Sequence, residues 1–377
     1  MRFAQPINKV HPSAAINALP YEAAFEVREE DEAQTTAALI ETMTKIQQTV
    51  FEHSGHAQRS VHAKSHGILR GELRVLEGLP TMLAQGLFAS ADTYPVLLRL
   101  STLPGDMLDD NVSTPRGLAI KVLHVIGERL PGSEDDVTQD FVLANGPAFS
   151  KPNAKSFLNS LKMLAATTDK APGLKKVLSS VMQGTEKVVE ALGGKSTTLI
   201  SLGGHPETHP LGETYYSGAP MLYGEYMVKL AVVPASNELK ALTKAPVELD
   251  GKPNGLREAV VDFFSVHGGE WDVCIQLCTN LESMPIEDAS KVWPEEESPY
   301  QRVARISVSP QVGWSHARSA AVDDGLSFSP WHGLAAHRPL GSVMRVRKAT
   351  YQVASQFRAR HNNRKIEEPL SLDGLPD

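Results

Sequence analysis

Arg59-Ser-Val-His62-Ala-Lys-Ser-His-Gly67 opens the most informative part of the chain. From there to about Ala144, short β-rich segments alternate with Gly and Pro breaks. The clearest are Pro95-Val-Leu-Leu-Arg-Leu-Ser101, Gly117-Leu-Ala-Ile-Lys-Val-Leu-His124 and Phe141-Val-Leu-Ala144. Upstream, Leu39, Met43, Ile46 and Val50 recur at spacings of four and three, which predicts an amphipathic helix over 30–51. Residues 1–30 are polar, contain Pro and lack a period, so they read as an N-terminal arm.

Downstream, residues 153–192 switch to helical spacing through Phe157, Leu161, Leu164, Leu174, Val177, Leu178 and Val181. A second β-rich block follows, with strands expected over Met221–Val233, Glu270–Leu277 and Val303–Val308. Residues 341–361 carry Arg, Ala and Gln without Pro and read as a final helix. Strands in two blocks around a helical insertion point to an α+β protein with an antiparallel sheet or barrel.

The composition narrows the function classes. At 377 residues the chain is long enough for one large or two modest domains, and 41% hydrophobic content supplies a core. A net charge of -7 argues against a nucleic-acid partner, which needs a basic stripe. Cys274 and Cys278 lie four apart on an expected strand, a span of about 13 Å, too far for a disulfide. On that strand Trp271, Val273, Ile275 and Leu277 share one face. The N-terminus has no apolar stretch suited to a signal peptide, and no run approaches a membrane span. The expectation is a soluble cytoplasmic protein, with the periplasm left open.

Three groups of residues invite a chemical reading. His53, His56, His62 and His66 cluster before the first strands, and His205 and His209 share one short segment, but neither group has HExxH or Cys-rich metal spacing. Gly193-Gly-Lys-Ser-Thr197 fails as a phosphate loop, because Val189 stands where the pattern needs Gly. Arg347 and Tyr351 stand at i and i+4 of the final helix, which lets a guanidinium lie beside a phenol oxygen. A phenol, with a pKa of about 10, ligates a metal near neutral pH only when its anion is stabilised, which a cation supplies.

Taken in order, these segments resemble the haem catalases. Arg59-Ser-Val-His62-Ala-Lys-Ser-His-Gly67 is similar to the R-x-V-H-A-K-G run that carries their distal histidine. Tyr94-Pro-Val-Leu-Leu-Arg99-Leu-Ser101-Thr102 resembles P-x-x-x-R-F-S-T, and Thr114-Pro-Arg116-Gly-Leu-Ala-Ile-Lys121 resembles D-P-R-G-F-A-V-K. Asp140-Phe-Val-Leu-Ala-Asn145-Gly-Pro-Ala-Phe149 is similar to the distal asparagine segment, and Lys291-Val-Trp-Pro294 to the K-V-W-P strand entry. Phe328-Ser-Pro330 precedes Arg347-x-x-x-Tyr351 at nearly the spacing catalases use before their proximal R-x-x-x-Y, and Arg358 falls where a propionate arginine is expected.

The resemblance implies an eight-stranded antiparallel β-barrel of catalase type with flanking helices, formed as one haem-binding domain over 31–377 without a flavodoxin-like C-terminal domain. It implies haem b, with Tyr351 ligating the iron and Arg347 holding its phenolate. His62, fixed by Ser101, would move the peroxide proton, and Asn145 would orient the peroxide. Arg59, Arg99 and Arg358 would pair with the propionates, while Val61 and Phe149 line the distal channel. The run after Tyr351 departs from the catalase Tyr-x-Asp-x-x-His. That departure and the short chain place the resemblance with the small catalase-related peroxidases.

The implied activity is reduction of hydrogen peroxide or organic hydroperoxides through a ferryl state, in an oxidative stress response, with a small-molecule reductant. Val61, where the allene oxide branch tends to have Thr, leans towards peroxide reduction. True catalase turnover, an allene oxide type rearrangement and non-catalytic haem binding are the alternatives. A homo-oligomer, dimer or tetramer, is implied as well.

Overall fold

The computed structural model describes residues 17–105, 107–168 and 205–377. Expectations for the N-terminal sixteen residues, for the second half of the 153–192 helical stretch and for Gly193–Thr197 fall outside the described residues.

Among the described residues, nine strands form one sheet: β1 (Lys64–Val75), β2 (Thr93–Thr102), β3 (Arg116–Leu123), β4 (Thr138–Ala144), β5 (Tyr215–Tyr216), β6 (Met221–Tyr223), β7 (Tyr226–Pro234), β8 (Gly269–Leu277) and β9 (Gln301–Val308). Every pairing is antiparallel. The order β5-β4-β3-β2-β1-β9-β8-β7 is closed by a further pairing of β5 with β7, so eight strands make a barrel, and β6 pairs with β7 outside it and bridges to Pro339. Among the described residues, closure leaves no long sheet edge unpaired. The segment read as one strand over Met221–Val233 is in fact a hairpin. Gly224 takes φ 61° in a two-residue turn between the paired Tyr223 and Tyr226, a conformation that favours glycine.

Strand alternation sorts the side chains. Val96, Leu98 and Leu100 of β2, Leu118, Ile120 and Val122 of β3, and Phe141 and Leu143 of β4 enter the barrel core. Trp271, Val273, Ile275 and Leu277 join them from β8, as their spacing predicts, while Cys274 and Cys278 sit buried in separate clusters. The intervening residues Arg99, Ser101, Gly117, Ala119 and Val142 therefore face outward, and there they line a cavity.

The helices are α1 (Glu32–Ser54), α2 (Ala154–Thr168), α3 (Asn237–Ala241), α4 (Gly255–Val266), the single turn α5 (His316–Ser319) and α6 (Ser342–His361). Leu39, Met43, Ile46 and Val50 of α1 meet Leu158 and Leu161 of α2 and Val346 of α6, so the expected amphipathic stripe is the seam of a three-helix layer. After α5 the chain makes a π-helical turn, Ala320–Asp324. Beyond α6 it returns across the outer barrel wall, where Leu372 and Leu375 pack on Ile68, Leu97, Ala119, Val322 and Phe328.

Candidate active site

The outer faces of β2, β3 and β4, the 327–332 segment, one face of α6 and residues 366–368 enclose a cavity of about 530 Å³. That volume lies within the range of small-molecule and cofactor sites. Arg59, Val61, His62, Arg99, Ser101, Tyr351 and Arg358, all singled out by the sequence, line it together.

His62 lies in the link between α1 and β1, in a left-handed conformation with φ 53°. Its imidazole rests on β3 where that strand has no side chain. A Cβ built on Gly117 would stand 2.6 Å from the His62 ring. Ser101 Oγ is 3.3 Å from His62 Nδ1, and Arg99 Nη1 donates to the His62 carbonyl at 2.9 Å. The backbone, the ring and the floor beneath it are thus each held. Burial, with Arg99 and Arg347 adding repulsion, pulls the His62 pKa down to about 3. The imidazole is neutral at physiological pH, so a ring near its ordinary pKa, free to carry the proton at rest, is not what the fold provides.

Across the cavity, Arg347 Nη2 donates to Tyr351 Oη at 2.5 Å, the i to i+4 contact expected on α6. The guanidinium itself is steadied by Met344 Sδ, 3.2 Å from Arg347 Nη1. A phenol oxygen with a cationic donor aimed at it suits a hard, high-valent metal such as ferric iron.

The three expected propionate arginines converge on one place. Arg99 Nε donates to Asp323 Oδ1 at 2.6 Å, and Arg59 Nε lies 3.7 Å from the same oxygen. Arg59 Nη2 donates to the carbonyls of Val322 (3.1 Å) and Leu326 (3.0 Å). Arg358 donates to the carbonyls of Asp323 and Leu326. Burial, then mutual repulsion, lowers the Arg59 pKa well below its usual value, and burial likewise lowers that of Arg358 to about 10. Three guanidiniums against one contacting carboxylate leave two positive charges, and Arg59 Nε finds no hydrogen-bond partner among the described residues. The site therefore fits a dianion. A haem, with two carboxylates and an iron that takes a phenolate, matches both this excess and Tyr351.

Three expected residues, Arg347, Asn145 and Phe149, stand apart from the cavity lining, and Arg347 reaches it only through Tyr351. The Asn145 side chain accepts from the Arg116 backbone N–H at 3.0 Å and lies 2.7 Å from His205 Nε2, so its amide is already engaged. Phe149 packs edge-on against Phe157, with ring centroids 5.3 Å apart, and against Val343 and Met344. Residues the sequence reading passed over include Gly117, Asp323 and a charged cluster on the cavity wall. In that cluster buried Lys121 pairs with Asp140 and Glu368, each at 2.6 Å, and His332 faces Glu368, Asp136 and Asp140. The adjacent acidic pair Asp323-Asp324, just before Phe328-Ser-Pro330, was the one available signal for Asp323. For Glu368, far from any motif, the sequence carried none.

No family model matches the sequence, and no curated protein matches it. Solved structures do. A fungal catalase has a TM-score of 0.57 at 18% identity, covering 86% of this chain and 67% of that one. Catalase A from Saccharomyces cerevisiae gives 0.57 at 18%, covering 86% and 69%. A bacterial catalase gives 0.56 at 16%, covering 86% and 63%, so the chain spans roughly two thirds of these proteins. At such identity the likeness shows the fold alone, and that fold is the catalase barrel.

Proposed function

We propose that this chain, built on the catalase fold, is a haem-dependent peroxidase that reduces hydrogen peroxide or organic hydroperoxides with a small reductant. The observation that carries the reading is one cavity lined by a neutral, positioned histidine, an arginine-held phenol and an arginine cluster with two charges to spare. Tyr351 would ligate the haem iron, Arg59, Arg99 and Arg358 would hold its carboxylates, and the bound haem would supply the two-electron chemistry that cleaves the O–O bond.

The chain's own residues then handle the protons. With Nδ1–H donating to Ser101 Oγ, His62 Nε2 is left with a lone pair and accepts the proton from the near peroxide oxygen. The imidazolium so formed is a strong acid in this buried, arginine-flanked place, and it passes the proton to the departing oxygen. Peroxide leaves as water, or as an alcohol when its far oxygen carries carbon. Val61 packs against the α1, α2 and α6 seam and keeps that wall of the cavity apolar. The balance, one peroxide plus two electrons and two protons giving two waters, requires a reductant that reaches the cavity.

Asn145 meets His205 and Arg116 and does not line the cavity, so a second peroxide there has one orienting donor fewer, which favours peroxidase over efficient disproportionation. The test is the absorption spectrum of haem-reconstituted protein, followed by peroxide addition with oxygen release and dye oxidation measured together. Dye oxidation with little oxygen supports the proposal. Vigorous oxygen release turns it into a catalase, and no Soret band sinks it.

A further inference from the structure

Asp323 does not line the cavity, yet it touches the arginines that do. Burying three guanidiniums side by side is costly unless charge is returned to them. Most of their donors end on neutral carbonyls, those of Val322, Asp323 and Leu326. Carbonyls satisfy hydrogen bonds but leave the charge in place. The π-helical turn at Ala320–Asp324 gathers these acceptors and the one contacting carboxylate at the same point, a use such turns often have at functional sites. Asp324, the next residue, points its carboxylate to His56 Nε2 at 2.9 Å and acts on Arg59 and Arg358 from farther off.

The Asp323 carboxylate is aimed with unusual completeness. Oδ1 accepts from Arg99 Nε at 2.6 Å, and Oδ2 accepts from Ser65 Oγ at 2.7 Å and Ser319 Oγ at 2.6 Å. Arg99 also holds the carbonyls of His62 and Ala63, so the same guanidinium joins Asp323 to the histidine's backbone. We propose that Asp323 is a resident counter-anion: it holds Arg59, Arg99 and Arg358 together before the cofactor arrives and sets the remaining charge to match two carboxylates. This is a positioning role, and it rests on the haem reading given above.

The test compares wild type with Asp323→Asn, each measured cofactor-free, with haem, and with haem dimethyl ester, which lacks the charges. Cofactor-free Asp323→Asn should melt below wild type, because three cations then face one another unshielded. Haem should raise its midpoint by a shift roughly twofold larger than the wild-type shift, and the ester should not. Equal shifts for the two proteins, or equal rescue by the ester, overturn the inference. A wild type that forms no Soret band sinks the haem reading and this inference with it, a different outcome from a normal Soret band with equal shifts. Should Asp323→Asn fail to fold, Asp323→Asn/Arg99→Gln restores two net charges. Folding and haem uptake by the double variant support the counter-anion, and its failure assigns Asp323 to packing and overturns the proposal.

Discussion

His62 holds a positive φ over a strand position without a side chain, and both features make it sensitive to single atoms. Under the proposed function, which assigns the iron to Tyr351, His62→Ala should keep haem and slow peroxide cleavage by about 10²–10⁴-fold, read by stopped-flow absorbance. Gly117→Ala offers a subtler version, because its methyl would stand 2.6 Å from the ring and displace it. Haem content should stay while the same step slows. The pH profile separates this site from a solvent-exposed histidine. With the His62 pKa at about 3, the neutral base persists down to mildly acid pH, so no limb near 6.5 should appear in the cleavage rate. A limb there assigned to His62 by its loss in His62→Ala would contradict the assignment.

At the scale of elements, the segment after α6 matters most. It places Ile366, Glu367 and Glu368 in the cavity wall and continues to Asp377, whose carboxylate meets buried Arg318 at 2.8 Å. Glu368 binds Lys121 at 2.6 Å, takes the Thr138 hydroxyl at 2.8 Å and lies 3.3 Å from His332 Nδ1. Burial pushes the Glu368 carboxyl up, but Lys121 and His332 overcome this and hold it at about 2. For His332, burial lowers the pKa, and its bonds to Asp140 and Glu368 outweigh that and raise it to about 9. The stabilisation from His332 is therefore complete below about 6.5 and fades as pH climbs through 9. Hydrogen-exchange protection over 364–370, taken relative to the hydroxide-catalysed intrinsic rate, should fall between pH 8 and 10 while that of the barrel strands holds. Glu368→Gln leaves Lys121 with Asp140 alone and should cost about 3 kcal/mol in urea unfolding, the scale for breaking a buried pair.

For the whole molecule, the barrel closes through its shortest strand. β5 is two residues, Tyr215 and Tyr216, pairing with Ala144 on one side and with Val232 and Ala231 on the other. Tyr215 is buried and donates to the Pro210 carbonyl at 2.8 Å. Tyr215→Ala should cost about 3–5 kcal/mol by removing a large core side chain, and amides of β4 and β7 should be the first strand amides to lose protection. Acid should weaken the fold before carboxylates protonate. His66, His209 and His337 are buried, His62 and His205 are part-buried, and all five have lowered pKa values, so below 6.5 the unfolded chain binds protons that the folded chain refuses. Each contributes a loss of at most about 1.4 kcal/mol per pH unit. Unfolding free energy should fall from pH 6.5 to 4.

Local pattern in the sequence was enough for the α1 stripe, the final helix, the alternation of β8 and the Arg347–Tyr351 pair, because each depends on spacing within one element. The resemblance of ordered segments carried His62, Ser101 and the three arginines to one site. Tertiary structure alone decided three things. It closed the barrel through a strand too short to carry a period. It set the Asn145 amide against Arg116 and His205, outside the cavity lining. It also brought Asp323 and Glu368 against arginines and a lysine distant in sequence, and depressed the His62 pKa. Charge balance and burial are sums over everything within a few ångströms, and residues separated by hundreds of positions supply them only once the chain has folded.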